Sequence, residues 1–291
     1  MTRMGIKKMI DLHCHSHFSD GLLSPSALLD KALLLNVQIL ALTDHDSTDG
    51  LADLHAAAHQ RPIKIIDGIE ISVRWKKHDI HILGLNISPQ SQTLMDLIAV
   101  QAQSRTHRAQ QIGERLKDYG LENAYQKARL QAGHEHVGRP HFAQVLVEEG
   151  KANDLQQAFR RFLVRGRPAY VETAWASLEY AVLSIIAAGG QAVIAHPLKY
   201  KFTRSKLRQL LTEFKATGGE GLEVVSGAIS ALQAREMAEL CSQFELLASS
   251  GSDYHGDGLS RVALGQQHAL PLNCLPIWER WAGATSSKGP I

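Results

Sequence analysis

Residues 37–46 read VQILALTDHD. The apolar, β-branched run predicts a buried strand, and it breaks off into Asp44, His45 and Asp46. Helical spacing follows from about Thr48 to His59. This unit recurs along the chain: an apolar run, an end rich in histidine or carboxylate, then a helix. KKMIDLH (7–13) is the first such strand. After it, SPSALLDKALLL places a capping serine, Ser24, ahead of proline at the first helical position. IKIIDGIEIS (63–72) and HDIHILGLNI (78–87) come next, and the turn-like KKHD at 76–79 makes them an antiparallel hairpin. Beyond a gap lie QAVIAH (191–196), GLEVVSG (221–227) and FELLASSGSDYH (244–255). A helix over LEYAVLSIIAAGG, ending on a glycine pair, precedes the first of these. Such alternation predicts an α/β fold with a largely parallel sheet, and seven strands point to a barrel rather than a small open sheet.

The gap, residues 101–167, is strand-poor. SRTHRAQQIGERLKDYG carries Ile112, Leu116 and Tyr119 at helical spacing, and HFAQVLVEEG and LQQAFRRFLVRG also read as helical. It holds twelve Lys or Arg against seven Asp or Glu, whereas the rest of the chain holds 19 against 22. The expected organisation is a barrel formed by residues 1–100 and 168–291, with 101–167 as a basic helical insertion. The tail TSSKGPI is expected to fray.

Composition excludes several classes. No run reaches the ~18 consecutive apolar residues of a membrane helix. No apolar stretch of signal-peptide length precedes Asp11, so a cytoplasmic location is expected. Cys14, Cys241 and Cys274 are odd in number and far apart, which argues against a disulfide framework and a thiolate zinc site. Nothing in the sequence implies an obligate protein partner.

The positions of the polar residues carry the functional reading. His13 and His15 end the first strand, Asp44 to Asp46 the second, and Glu70 the third. His81 lies inside the fourth, His196 ends the fifth, and Asp253 and His255 follow the seventh. Parallel barrel strands gather their carboxyl ends on one face, where active sites form. Residues two apart in a strand share a side, so His13 and His15 point one way and Cys14 the other, into packing. Imidazole nitrogen with carboxylate oxygen suits divalent Zn, Mn or Fe. With Asp20 there are nine candidates, too many for one ion; two or three ions sharing a bridging carboxylate would use them all. Such clusters generate a hydroxide near neutral pH and stabilise both oxygens of an in-line phosphoryl displacement. Asp11 and Asp44 are candidates either to orient ligand imidazoles or to cap helices. His55, His59, His78, His107 and His268 lack strand-end placement and read as surface or structural, and His17 has no assigned role.

DLHCHSHFSDG (11–21), LTDHD, GIEIS, HDIHILG, AHP and SGSDYH, in this order, resemble the polymerase-and-histidinol-phosphatase (PHP) family of phosphoesterases over about residues 9–100 and 168–260. The resemblance implies a distorted (βα)7 barrel with two or three divalent ions, manganese being expected ahead of iron or zinc. It implies a first ion on His13, His15, Glu70 and Asp253. Glu70 would bridge to a second on His81 and His196, with a third among Asp20, His45 and His255. GRPHFAQVLVEEG (138–150) and GRPAYV (166–171) resemble a branch that hydrolyses nucleoside 3′,5′-bisphosphates and trims short 5′-phosphorylated RNA, its inserted helical domain closing over the nucleotide. A nucleotide or short RNA is then the expected partner. Arg139 is the first candidate phosphate clamp, because guanidinium takes phosphate oxygens bidentately. His141, Arg167, Lys199 and Arg204 are further candidates, and Asp46 or His196 would protonate the leaving alkoxide. Histidinol phosphate is the alternative substrate, and an amidohydrolase, which shares the HxH opening, is the alternative reaction class. A non-catalytic PHP scaffold predicts eroded ligands, and all nine are present.

Overall fold

The computed structural model describes residues 9–135 and 137–281; the TSSKGPI tail lies outside them. β1 (Met9–Cys14), β2 (Val37–Leu42) and β3 (Lys64–Trp75) run parallel, side by side. β4 (His78–Leu85) folds back antiparallel on β3 as the expected hairpin, with Trp75 paired to His78 and Lys76 turning at φ 53°. A two-residue β5 (Ala176–Ser177), unmarked in the sequence pattern, pairs with β3 off the main path. β6 (Gln191–Ile194) is antiparallel to β4, and β7 (Gly221–Ser226) and β8 (Leu247–Gly251) restore parallel pairing. β8 then returns to β1. His13 O accepts the Asp253 N–H at 2.8 Å, and the His15 N–H donates to Tyr254 O at 2.9 Å. The sheet therefore closes at its carboxyl edge into a barrel-shaped α/β fold, distorted by one reversed strand.

Apolar side chains fill the barrel, among them Leu12, Ala41, Leu83 and Val193, and Ile277 and Trp281 belong to the same cluster. Cys14 packs outside it with Leu28, Leu40 and Leu42, its thiol directed at Ala41 O. The outer layer includes α1 (Pro25–Leu34), whose N-terminus Ser24 caps by accepting the Ala27 N–H, and α2 (Gly50–Ala58). Next come α3 (Gln92–Lys117), α4 (Ala124–Ala132), α5 (Arg139–Glu148) and α6 (Leu155–Ala158). α7 (Leu178–Ala187), α8 (Arg204–Ala216) and α9 (Ala231–Gln243) complete the layer.

α3 begins ahead of residue 101, so the expected boundary falls inside one continuous helix. Its Leu94 and Leu97 join the core between sheet and helices. Its Ala109, Ile112 and Leu116 join a second core with Phe142, Leu146 and Phe162. Tyr119, expected on that apolar stripe, is instead exposed, because α3 has ended and the chain turns at Gly120. Among the described residues, no helix is long and apolar enough to cross a membrane.

Candidate metal centre

The nine candidates converge at the barrel mouth, Glu70 from within β3, which runs on to Trp75, His81 from within β4 and the others from at or beyond strand ends. Glu70 sits at the middle. Its Oε2 lies 3.2 Å from His13 Nε2, 3.2 Å from His15 Nε2 and 3.1 Å from His45 Nδ1. Its Oε1 lies 2.8 Å from His81 Nδ1 and 2.9 Å from His196 Nε2. Asp253 Oδ1 stands 3.4 Å from the Nε2 atoms of both His13 and His15. On the outer side, Asp20 Oδ1 is 3.2 Å from His255 Nε2, and Asp20 Oδ2 is 3.8 Å from His45 Nε2.

Two observations fit this set to cations. First, His13 Nε2, both His15 nitrogens, Asp20 Oδ1, His45 Nδ1 and Glu70 Oε2 are buried without hydrogen-bond partners. Each such orphan carries a desolvation cost unless something binds it. Donors about 2.0–2.2 Å from one tetrahedral ion stand about 3.3–3.6 Å apart, close to the spacing here. Second, the carboxylates demand positive charge. Burial disfavours protonated His13 and His15, yet Glu223, Glu70 and Asp253 pull His13 well above its usual pKa, and Asp253 and Glu70 carry His15 to about 9. Burial likewise resists ionising Glu70, but His45 and His13 hold it well below the carboxylate range. Strand exits aim these groups through uncommon backbone: Asp46, His196 and Asp253 have φ of 49°, 27° and 55°. For non-glycine residues that is strain of the kind concentrated at functional sites.

The supporting carboxylates differ from expectation. Asp11 accepts the N–H groups of His13, Ser252 and Gly265, and Asp44 accepts from Ser16 and Ser19, so both fasten loops and neither orients an imidazole. The acid on a ligand ring is Glu223 of β7, 3.0 Å from His13 Nδ1, which sequence reasoning missed. Its signal was a lone acid within an apolar strand, GLEVVS.

Asp46 is not placed to protonate a leaving group. Its carboxylate is paired with Arg105 and accepts from Ser72 N–H at 2.8 Å and Gln101 Nε2 at 3.0 Å. Burial would raise its pKa, but Arg105 and these donors bring it below the usual value. His196 is also a poor acid: burial, then nearby Lys199, lowers its pKa to about 4, leaving a neutral ring suited to ligation.

A cleft open to solvent lies beside Asp20, His45 and His81, and Asp79, Arg105, Arg108, Arg139 and Trp175 also line it. Arg108 and Arg105 lie over the Trp175 ring, 4.7 and 5.2 Å from its centroid, a cation–π arrangement. Arg108 Nε is buried without a partner. Burial, then neighbouring Arg105 and Arg139, pushes the Arg108 pKa well down, against a smaller opposing pull from Asp46 and Asp79. Arg139 is thus at the cavity as expected, while Arg105 and Arg108 were missed. Leu97, Gln101, Arg105, Arg108 and Ile112 follow one buried helical stripe, so polar residues in a core phase were the available signal.

The other candidate contacts are placed differently. The Lys199 ammonium reaches the Asp253 carboxylate. His141 is not among the cavity-lining residues; its Nδ1 accepts the Gly138 N–H at the start of α5, and burial lowers its pKa to about 4, so it brings no charge to a phosphate. Arg167 and Arg204 are exposed, the latter as the first residue of α8, and neither lines the cavity.

The PHP domain model matches residues 11–173. This chain belongs to the PHP domain family. Its relatives include the 3′,5′-nucleoside bisphosphate phosphatase of Chromobacterium violaceum, 42% identical over 92% of this chain and 95% of that protein. The 5′-3′ exoribonuclease of Haemophilus influenzae is 40% identical over 94% of this chain and 99% of that one. A solved structure from Chromobacterium violaceum, described as an amidohydrolase with bound sulfate and no metal, superposes with a TM-score of 0.90 at 41% identity, covering 94% of this chain and 96% of that one. The PHP chain thus shares its fold across nearly its whole length with these relatives.

Proposed function

We propose that this PHP chain is a metal-dependent phosphoesterase that removes the 3′-phosphate of nucleoside 3′,5′-bisphosphates and shortens 5′-phosphorylated RNA from its 5′ end. The observation that carries this reading is one cavity lined both by Asp20, His45 and His81 of the ligand cluster and by Arg105, Arg108 and Arg139. A substrate with one reacting and one non-reacting phosphate suits such a cavity, and the names of the two relatives support it. His13, His15, Glu70 and Asp253 would hold one ion, Glu70, His81 and His196 a second, and Asp20, His45 and His255 a third, with manganese the expected metal. When bound, these ions supply Lewis-acid charge at the phosphoryl oxygens and acidify a water for in-line attack.

The chain's own residues do the rest. Glu70 offers one oxygen to each of two neighbouring ligand sets and so fixes their separation. Arg105 is locked by Asp46 and by Ser72 Oγ at 3.1 Å. Arg108, braced on Trp175, and Arg139, at the start of α5, present N–H groups to the non-reacting phosphate. Residues 101–167 serve as the substrate lid over a barrel of 1–100 and 168–291, in a cytoplasmic enzyme working without an obligate protein partner.

The name of the Chromobacterium structure favours a second reading, an amidohydrolase. A neutral amide offers nothing to match three guanidiniums, and the amine of histidinol phosphate would be repelled by them. A manganese-supplemented panel separates these readings: a nucleoside 3′,5′-bisphosphate, the 5′-mononucleotide, a 5′-phosphorylated RNA pentamer, histidinol phosphate and a dihydropyrimidine. The bisphosphate is expected to give the highest kcat/KM with release of its 3′-phosphate. Faster turnover of histidinol phosphate or the dihydropyrimidine would overturn the proposal.

A further inference from the structure

Glu223 is 1% exposed, and both its oxygens reach behind the metal centre. Oε1 lies 3.0 Å from His13 Nδ1, and Oε2 accepts the His196 backbone N–H at 2.5 Å. These two histidines come from β1 and from the exit of β6, and they flank the central carboxylate: His13 Nε2 is 3.2 Å from Glu70 Oε2, and His196 Nε2 is 2.9 Å from Glu70 Oε1. One buried acid therefore touches both sides of the bridge.

The chemistry of that contact is directional. A carboxylate oxygen only accepts hydrogen bonds, so His13 donates from Nδ1, and its Nε2 is the nitrogen left to face a cation once the ring is neutral. His196 has φ 27°, strained for a side-chain-bearing residue, and Glu223 holds its N–H in that turn. Gly251 of β8 makes room for the approach. A Cβ there would stand 2.3 Å from His13 Cβ and 3.0 Å from Glu223 Oε1.

We propose that Glu223 is a positioning residue that fixes the His13 tautomer and the His196 backbone, aiming both Nε2 lone pairs at the ion positions on either side of Glu70. The inference rests on the metal-centre reading and adds to it the residue that organises the ligands in advance. Carboxylate partners of ligand histidines are worth about 10–100-fold in metal affinity.

Glu223→Gln keeps the side-chain volume, but one amide oxygen cannot accept from both His13 and His196. Manganese titrated into metal-free protein should bind about 10–100-fold more weakly to Glu223→Gln than to wild type. Nitrogen-15 spectra of the zinc-loaded proteins should show His13 ligated through Nε2 and protonated on Nδ1 in wild type, with that Nδ1–H signal shifted or lost in the variant, at similar melting temperatures. Wild type that binds no manganese would remove the metal-centre reading and this inference with it. Wild type that binds, with Glu223→Gln binding equally well, overturns the role of Glu223 alone. If Glu223→Gln does not fold, the wild-type spectrum decides, and a proton on His13 Nε2 refutes the assignment.

Discussion

The candidate ligand cluster and the three arginines meet at one cavity, yet they are built in opposite ways. The candidate ligands stand within β3 and β4 or at and beyond the ends of the other strands, where a closed sheet holds backbone positions rigidly and imidazoles lie 2.8–3.8 Å from carboxylates. The arginines rise from α3 and α5, whose charges repel and are steadied by a ring, Trp175, and by the acids Asp46 and Asp79. On the proposed reading, chemistry that needs positional accuracy sits on strands, and recognition of a charged substrate sits on helices that also carry the second core.

Glu70→Ala should strain this contrast most. Turnover is expected to fall by on the order of 10³-fold or more, with loss of bound metal by elemental analysis, because both ligand sets share that carboxylate. Retained activity would dissolve the distinction between a catalytic and a binding face. Asp46→Ala attacks the link between the two. It leaves the Arg105 guanidinium buried without its counter-charge, so the metal-free protein should lose about 3–5 kcal/mol in urea unfolding. An unchanged midpoint would mean Arg105 finds another partner.

Arg108→Ala sharpens the contrast from the other side. KM for the bisphosphate should rise about 10–100-fold, the value of a charged hydrogen bond, while metal content stays at the wild-type level. Parallel loss of metal would show that the arginines support the centre rather than the substrate. The smallest effect concerns His141. Its folded pKa of about 4 lies below the ordinary 6.5, so its contribution to stability is full above pH 6.5 and is lost as pH falls toward 4. The cost should be on the order of 1–3 kcal/mol. His141→Asn, able to accept the same Gly138 N–H, should flatten that slope; an identical pH dependence in both proteins would exclude His141 as its source.

Legibility followed the same divide. Seven strands, the β3–β4 hairpin and the Ser24 cap were readable because period and punctuation are local properties. The ligand candidates were readable because a barrel converts position at a strand end into position at the mouth. The short β5 has too few residues to show a period. Arg105 and Arg108 look like ordinary solvated helix charges until Leu97 and Ile112 fix the phase of the buried stripe. Asp46, read as a proton donor beside His45, proved to be paired, because its partner lies 59 residues further along the chain.

The sequence by itself determined the family, the alternation of strands and helices, and the residue types able to bind cations at the barrel mouth. These follow from short-range patterning and from motifs in fixed order. Only the tertiary structure decided which groups support those candidate ligands and which guanidiniums line the cavity beside them. Burial and charge pairing depend on side chains brought together from distant segments: Glu223 against His13, Asp46 against Arg105, Trp175 beneath Arg108.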